Sequence, residues 1–134
     1  MERAQVIDPG DDRRQHYRII YPPMVQPRFV IHGVRDAARV LDCSESGIRY
    51  EPVGGSRPSA GDVVRGRVHF HPRRLVEVEG EVIRIGREDV ALRLLHPGIP
   101  LATIFAEQRH LMRLYPDGFE PRQRASGAVL QVDE

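Results

Sequence analysis

The fold of this chain is decided by residues 62–94, which read DVVRGRVHFHPRRLVEVEGEVIRIGREDVALRL. Hydrophobic and polar residues alternate along Leu75–Ile85, with three glutamates on one face and small or branched residues on the other. This two-residue period is typical of a half-buried β-strand. Turns rich in proline, glycine and charged residues separate it from similar runs on either side. We therefore predict three consecutive strands: Asp62–Phe70, Leu75–Ile85 and Val90–Leu94.

Three shorter strand patterns precede this region. A His32-Gly33 turn separates the first two, and a Ser46-Gly47 corner precedes the third. The chain also carries 11 prolines and 12 glycines, which suit many tight turns. About six short strands at close spacing are typical of an all-β sandwich or barrel rather than a parallel α/β sheet. The three shorter patterns are Arg28–Ile31, Ala38–Leu41 and Ile48–Tyr50.

The period of the hydrophobic pattern changes near residue 100. Apolar residues now recur every three to four positions, which predicts an α-helix of about four turns. Pro100 suits the start of this helix and Pro116 marks its end. We expect the helix, over about residues 100–115, to cap a barrel opening or to pack on its side. Its apolar stripe comprises Leu101, Ile104, Phe105, Leu111, Met112 and Tyr115.

Composition limits the class of protein. A chain of 134 residues fits one domain, which we place at residues 13–116 with flexible tails at 1–12 and 117–134. The net charge of +1 provides no chain-wide basic field for nucleic acid, although all 20 basic residues are arginine. A single cysteine excludes an internal disulfide, and no apolar run approaches the length of a membrane span. We expect a soluble, cytoplasmic protein.

Arginines cluster before the first strand pattern, at positions 13, 14 and 18. Arg14 and Arg18 are four residues apart, so they share a face whether the segment is extended or helical. Guanidinium groups bind phosphate oxygens, and also the O6/N7 edge of guanine, through paired N–H donors. An arginine run is more often a solvated face, and here Asp11 and Asp12 could simply pair with it.

A second pattern, Asp42-x-Ser44-x-x-Gly47, follows the strand that begins at Ala38. Aspartate and serine commonly shape turns through their own backbone, and glycine commonly supplies a positive φ, so this pattern alone is weak. Functionally, Asp42 could accept hydrogen bonds from N1 and N2 of guanine, and Ser44 could donate one. Gly47 would let a bulky ligand approach the backbone. The two patterns in this order form a much more specific signal.

Together they resemble the signature of the PilZ domain family, bacterial receptors for cyclic di-GMP. The mark of that family is R-x-x-x-R on an N-terminal arm, followed by [D/N]-x-S-x-x-G between two barrel strands. Arg14 and Arg18 match the first part, and residues 42–47 match the second. The resemblance covers about residues 12–115. It implies an all-β fold, a six-stranded antiparallel β-barrel capped or flanked by one C-terminal α-helix.

The resemblance also implies a ligand site. Arginines would clasp the phosphates and guanine faces of cyclic di-GMP, while the turn reads a guanine edge. In this family a second arginine just before the first motif, as Arg13 is here, accompanies a stacked pair of ligand molecules. The chain has no tryptophan, so any platform for the outer guanine must come from another residue. The implied site comprises Arg13, Arg14, Arg18, Asp42, Ser44 and Gly47, with Ser46 and Arg49 as additional candidates.

The function that follows is that of a receptor and adaptor. We expect ligand binding to order residues 10–21, creating a charged surface that a partner protein reads in control of motility, chemotaxis or exopolysaccharide. We expect no cofactor beyond this ligand, no metal, no contact with nucleic acid or membrane, and a monomer or weak dimer.

Two alternatives remain open. The chain could keep the PilZ fold as a protein-interaction module that binds no nucleotide, although such relatives lack the motif that is intact here. It could also be a small barrel for single-stranded nucleic acid. That class normally needs a basic groove with several exposed aromatic residues, against a net charge of +1 and 6% aromatic residues.

Other residues that could bind a metal or take part in catalysis give weaker indications of a site. His69 and His71 would share a face of a strand, but no third metal ligand stands at a fixed spacing, so surface histidines are favoured. Cys43 lies inside the proposed binding turn and is expected to be a small packing residue. The glutamates at 77, 79 and 81 should face arginines on neighbouring strands, Arg84 or Arg93. No arrangement of acid, base and nucleophile is evident, so we do not expect an enzyme.

Overall fold

A computed structural model describes residues 17–54 and 57–118. Within them the predicted fold class is confirmed: six strands close an antiparallel barrel, and one α-helix follows. The predicted tail at 1–12 lies outside the described residues, as does all but the start of the tail at 117–134. The elements are β1 (Ile19–Ile20), a 3-10 turn (Pro23–Val25), β2 (Arg28–Ile31), β3 (Ala38–Cys43), β4 (Gly47–Glu51), β5 (Val63–Phe70), β6 (Arg74–Ile85), β7 (Val90–Leu94) and α1 (Leu101–Leu114).

The sheet closes on itself. Its order is β1-β3-β2-β5-β6-β7-β4, and β4 pairs back with β3, so β2 to β7 form a complete ring. Every pairing is antiparallel. Irregularities in register at Val40/Asp42 and at Val82/Arg84 bend the strands there. The short strand β1 lies outside the ring and pairs with the end of β3, which carries the Asp42 motif.

The barrel interior is filled by the inward residues of the alternating strands. Phe29 and Tyr50 meet edge to face with their ring centroids 5.2 Å apart. A Cβ added at Gly66 would lie 2.5 Å from the carbonyl oxygen of Val30 and 2.7 Å from the Phe29 ring, so the barrel wall has no room for a side chain there. The fully buried hydrophobic residues include Phe29, Val40, Val68 and Val90.

The glutamates of β6 form ion pairs on the outer surface, but mostly not with the predicted arginines. Glu81 contacts Arg93, as expected. Glu77 and Glu79 instead contact arginines of β5, with 3.0 Å between the Arg67 Nε and the Glu77 carboxylate. The reason is topological, because β6 pairs with β5 over eight positions. Arg84 belongs to β6 itself and contacts Asp89.

Helix α1 buries a narrower face than its apolar stripe predicted. Ile104 and Leu111 are buried, whereas Met112 is 61% exposed. The buried face also includes a glutamate, Glu107, which a pattern of apolar residues could not indicate. Thr103 is also buried, Phe105 is half-buried, and the half-buried Tyr115 follows the end of the helix. No helix within residues 17–54 and 57–118 is long and apolar enough to cross a membrane.

Candidate ligand-binding site

The Asp42 motif forms a tight turn between β3 and β4. The backbone N–H of Ser44 donates to the carbonyl of Gly47 at 2.9 Å. The side chain of Ser44 accepts a hydrogen bond from the N–H of Ser46 at 3.3 Å. The motif serine therefore shapes its own turn, as serine commonly does, and keeps its hydroxyl proton for another acceptor.

A second segment holds this turn from the other side. Ile99 donates its backbone N–H to the carbonyl oxygen of Glu45 at 3.0 Å, and Leu94 donates to that of Ser46 at 2.8 Å. Gly98 has a φ of 72°, and a Cβ there would lie 2.3 Å from the Glu45 carbonyl oxygen. Only glycine satisfies both the positive φ and the close approach. The turn is consequently braced by the loop that leads into α1.

Asp42 lies between two guanidinium groups. The residue is only 5% exposed. Arg49 donates from Nε to one carboxylate oxygen at 2.6 Å, and Arg18 donates from Nη1 to the other. Arg49 also donates to Asp89 at 3.0 Å. Burial opposes the charge of Arg49, but Asp42 and Asp89 outweigh it and raise the pKa of this guanidinium, so it stays charged.

The structure brings most of the predicted site residues together. A Cβ added at Gly47 would lie 3.5 Å from Nη2 of Arg18 and 3.8 Å from Oγ of Ser44. The two additional candidates, Ser46 and Arg49, line the same cavity as Arg18 and Asp42. Arg13 and Arg14 lie outside the described residues, so their place relative to the turn remains a prediction.

The cavity beside the turn has a volume of about 510 Å³ and adds residues that sequence reasoning missed. Ile83 on β6 is 56% exposed and gives the cavity an apolar wall. Arg84 and Arg93 add positive charge. They come from strands some 40 positions away in sequence. Only the β4–β7 and β6–β7 pairings bring them here, for example through the pairing of Gly47 with Arg93.

The arrangement suits binding of an anion with a flat apolar part. Several guanidinium groups surround a cavity with an aliphatic wall and a turn that presents backbone and hydroxyl groups. Both oxygens of Asp42 accept hydrogen bonds from arginine side chains, so this carboxylate acts as a hydrogen-bond acceptor within the site. Within the described part of the chain, no three His, Cys, Asp or Glu side chains are arranged to hold a metal ion.

The surroundings of the remaining candidates, His69, His71 and Cys43, indicate structural roles. Strand β5 ends at Phe70, so His71 stands in the following turn and does not share a strand face with His69; it stacks on His110 of α1 instead. Cys43 is fully buried, as expected of a packing residue. Burial raises the pKa of its thiol to about 12, so the thiol stays protonated at neutral pH.

Comparison with known proteins points to one family. The PilZ domain family model matches residues 12–111. Among solved structures, the chain is similar to the Inhibitor of motility (MotI/DgrA) of Bacillus subtilis, with 19% identity and a TM-score of 0.56 over 81% of this chain. The chain spans about half of that protein, 53% of its length. This identity is low, so the likeness shows the fold alone.

A second solved structure, an uncharacterized protein of Legionella, is 16% identical with a TM-score of 0.45. The alignment covers 76% of this chain and 97% of the other. A sequence comparison with curated proteins finds no match.

Proposed function

The chain belongs to the PilZ domain family, and on that premise we propose that it is a receptor for cyclic di-GMP that signals to a partner protein. One observation carries the proposal. The Arg18 guanidinium, the Asp42 carboxylate and the Gly47 backbone converge on one cavity with an aliphatic wall. This set combines donors for phosphate, an acceptor for a guanine edge, and a surface for a flat ring.

The ion pair between Arg18 and Asp42 is compatible with ligand binding. The Arg18 side chain is 46% exposed, so a ligand phosphate can approach this guanidinium from solvent. The phosphate would replace the Asp42 carboxylate as the anionic partner of Arg18. The exchange would also free one oxygen of Asp42 for the N–H groups of guanine, while Arg49 keeps holding the other oxygen.

The other site residues take complementary roles in this proposal. Gly47 leaves space beneath Arg18, and Ser44 or Ser46 supplies a hydroxyl at the turn. Ile83 supplies the apolar platform that no tryptophan provides in this chain. Arg14 would add phosphate contacts, and Arg13 would extend the site to a stacked pair of ligand molecules.

The segment that ligand binding would order is shorter than residues 10–21, the range expected from the sequence. Residues 17–21 already lie on the barrel, where β1 pairs with β3 and the Tyr21 N–H donates to the Leu41 carbonyl at 3.0 Å. Ligand-induced ordering would then concern residues 10–16, which carry Arg13 and Arg14. Their two charges would move onto the barrel surface and change what a partner meets there.

Resemblance supports the choice of pathway in this proposal. The Bacillus subtilis structure is described as an inhibitor of motility, and this chain shares its fold over about half its length. We propose a cytoplasmic adaptor that acts through another protein in motility, chemotaxis or exopolysaccharide control. It would need no cofactor and perform no catalysis.

Isothermal titration calorimetry with cyclic di-GMP tests the binding proposal. Charge-assisted hydrogen bonds contribute about 1.5–3 kcal/mol each, so three or four of them, less the cost of ordering the arm, give a micromolar Kd. Arg14→Ala, Arg18→Ala and Asp42→Asn should each weaken binding about tenfold or more. Arg65→Ala is the matched control, because Arg65 contacts Glu79 elsewhere on the barrel.

Tight binding retained by both Arg18→Ala and Asp42→Asn would remove the proposed site. Circular dichroism of each variant establishes that the barrel is folded before its affinity is interpreted. The ratio of ligand to protein at saturation separates one bound molecule from a stacked pair.

A further inference from the structure

The described part of the N-terminal arm has two faces with different contacts. Arg18 and Ile20 are exposed, and Arg18 faces the ligand cavity. Ile19 and Tyr21 are buried, and Tyr17 meets the ring of Phe105 on α1 edge to face at 5.1 Å. This alternation is the period of an extended strand. The same five residues thus contact the proposed ligand site on one side and the barrel core and helix α1 on the other.

Tyr21 connects the arm to a fully buried carboxylate on the helix. Its hydroxyl donates to Oε1 of Glu107 at 2.6 Å, and Glu107 is 0% exposed. Oε2 of the same carboxylate accepts the backbone N–H of His71 at 2.7 Å. Glu107 therefore joins three parts of the chain: the arm, the β5–β6 turn and α1. A buried carboxylate with few partners is sensitive to the loss of any one of them.

The arm also pairs with the strand that carries the motif: Ile20 lies opposite Asp42, and the Tyr21 N–H donates to the Leu41 carbonyl at 3.0 Å. Burial raises the pKa of the Tyr21 hydroxyl, so it remains a donor at every physiological pH. A contiguous set of contacts thus runs from the motif turn through Tyr21 to the middle of α1.

We propose that the hydrogen bond from Tyr21 to Glu107 couples the cyclic di-GMP site to helix α1, so that ligand binding stabilises the packing of the helix. This inference rests on the proposed function. A ligand that engages Arg18 with the arm docked favours the docked arm, and the docked arm holds Glu107 and Phe105. Coupling between two equilibria is equal in both directions: if the ligand stabilises the packed helix by some factor, the packed helix strengthens ligand binding by the same factor. Loss of the Tyr21–Glu107 contact should therefore weaken ligand binding by a similar factor.

Hydrogen–deuterium exchange of the full chain, with and without saturating cyclic di-GMP, tests the coupling. In the unchanged protein, the ligand should slow exchange both in the turn 42–47 and in α1, by about fivefold or more in the helix. In Tyr21→Phe, the turn should still respond to ligand, whereas the response of α1 should be lost and the affinity should fall by a similar factor. Tyr50→Phe is the matched control, since it also removes one buried tyrosine hydroxyl, while the Tyr50 ring packs edge to face on Phe29 inside the barrel.

The measurement separates failure of the two proposals. No ligand-dependent change anywhere in the chain overturns the proposed function. Slowed exchange in the turn without any change in α1 of the unchanged protein overturns the coupling alone, as does a full α1 response retained by Tyr21→Phe. Strands β5 and β6 report whether each variant is folded. Glu107→Met, which is of similar size, is a second variant that removes the acceptor of this contact from the helix side, and the same outcomes apply to it.

Discussion

At Asp42 a nearly buried carboxylate is held between two arginines of different exposure. Arg49 is anchored by a second carboxylate, Asp89, whereas Arg18 extends from the arm toward solvent. The inner contact, with Arg49, keeps the carboxylate oriented, and the outer contact, with Arg18, is the one that a ligand can replace. A single residue thus combines a structural and a binding role, which is why substitutions beside it are more informative than its own removal.

A substitution at Gly47 can test ligand binding separately from the stability of the fold. A Cβ there would lie 3.4 Å from the Leu92 carbonyl oxygen, an ordinary contact, and would point toward Arg18. We expect Gly47→Ala to leave the free energy of unfolding unchanged or raised by up to about 1 kcal/mol, while weakening cyclic di-GMP binding about tenfold. Urea denaturation and calorimetry measure the two quantities.

Gly98→Ala should behave in the opposite way, because its φ is positive and its Cβ would meet the Glu45 carbonyl oxygen at 2.3 Å. A loss of about 2 kcal/mol in the free energy of unfolding is expected. Gly33→Ala provides the reference for a positive φ alone, since nothing lies within 4 Å of its added Cβ. Equal losses at Gly98 and Gly33 would contradict the proposed bracing of the turn.

Cys43 gives the protein a pH dependence with a defined sign. Its pKa is about 12 in the fold against an ordinary value of 9.0, so above pH 9 the unfolded chain loses a proton that the fold retains. This stabilisation is complete below pH 9 and is lost as the pH rises toward 12. Between pH 8 and pH 10, the unchanged protein should lose about 1 kcal/mol more stability than Cys43→Ser. Urea denaturation under reducing conditions measures this, and identical pH dependences would show that the thiol is not buried in solution.

At the scale of the element, strand β6 shows how the two faces of one strand differ in energy. Val78 points into the core and Glu79 points outward to an exposed arginine of β5. Burial of an aliphatic side chain excludes water, whereas an exposed ion pair exchanges one polar environment for another. The regular alternation makes the strand recognisable in the sequence, although only one of its faces contributes much to stability.

Substitution on each face of β6 should therefore give unequal effects. Val78→Ala should lower the free energy of unfolding by about 2 kcal/mol, because it leaves a space in the core. Glu79→Gln should change it by less than about 1 kcal/mol, because both partners are largely solvated. A double-mutant cycle with Arg65→Ala isolates the ion pair, and a coupling above about 2 kcal/mol would contradict this account of the surface.

At the scale of the whole molecule, the described barrel and helix begin at residue 17, while two of the proposed binding arginines precede it. The net charge of +1 is too small to attract an anionic ligand over long distances, so affinity must come from local contacts. The fold and the full ligand site should consequently be separable by truncation.

Removal of residues 1–16 should leave a cooperatively unfolding domain, because every described strand and the helix remain. Binding of cyclic di-GMP should weaken about a hundredfold, corresponding to the loss of at least two charge-assisted hydrogen bonds from Arg14. Calorimetry in 0.05 M and 0.5 M NaCl provides the control, since the full chain should show the stronger salt dependence. Unchanged affinity after truncation would restrict the site to residues of the barrel.

The sequence alone determined the strand and helix pattern and the family. Period-two alternation in β6, the change of period at Pro100 and the spacing of residues 42–47 are local properties, which depend on neighbours within a few positions. The association of Arg18 with residues 42–47 had a different source, because a family motif records residues that act together even when they are far apart in sequence.

Only the tertiary structure decided which residues meet across the barrel. The pairing of β6 with β5 places Arg65 and Arg67 opposite the glutamates at positions 79 and 77. The pairing of β4 with β7 places Arg93 beside Gly47. Closure of the ring and docking of α1 also buried Glu107 against Tyr21, 86 positions apart. A buried polar side chain such as that of Glu107 breaks the apolar pattern of a helix, and its partner is set by the packing of distant elements, so no local rule could have found it.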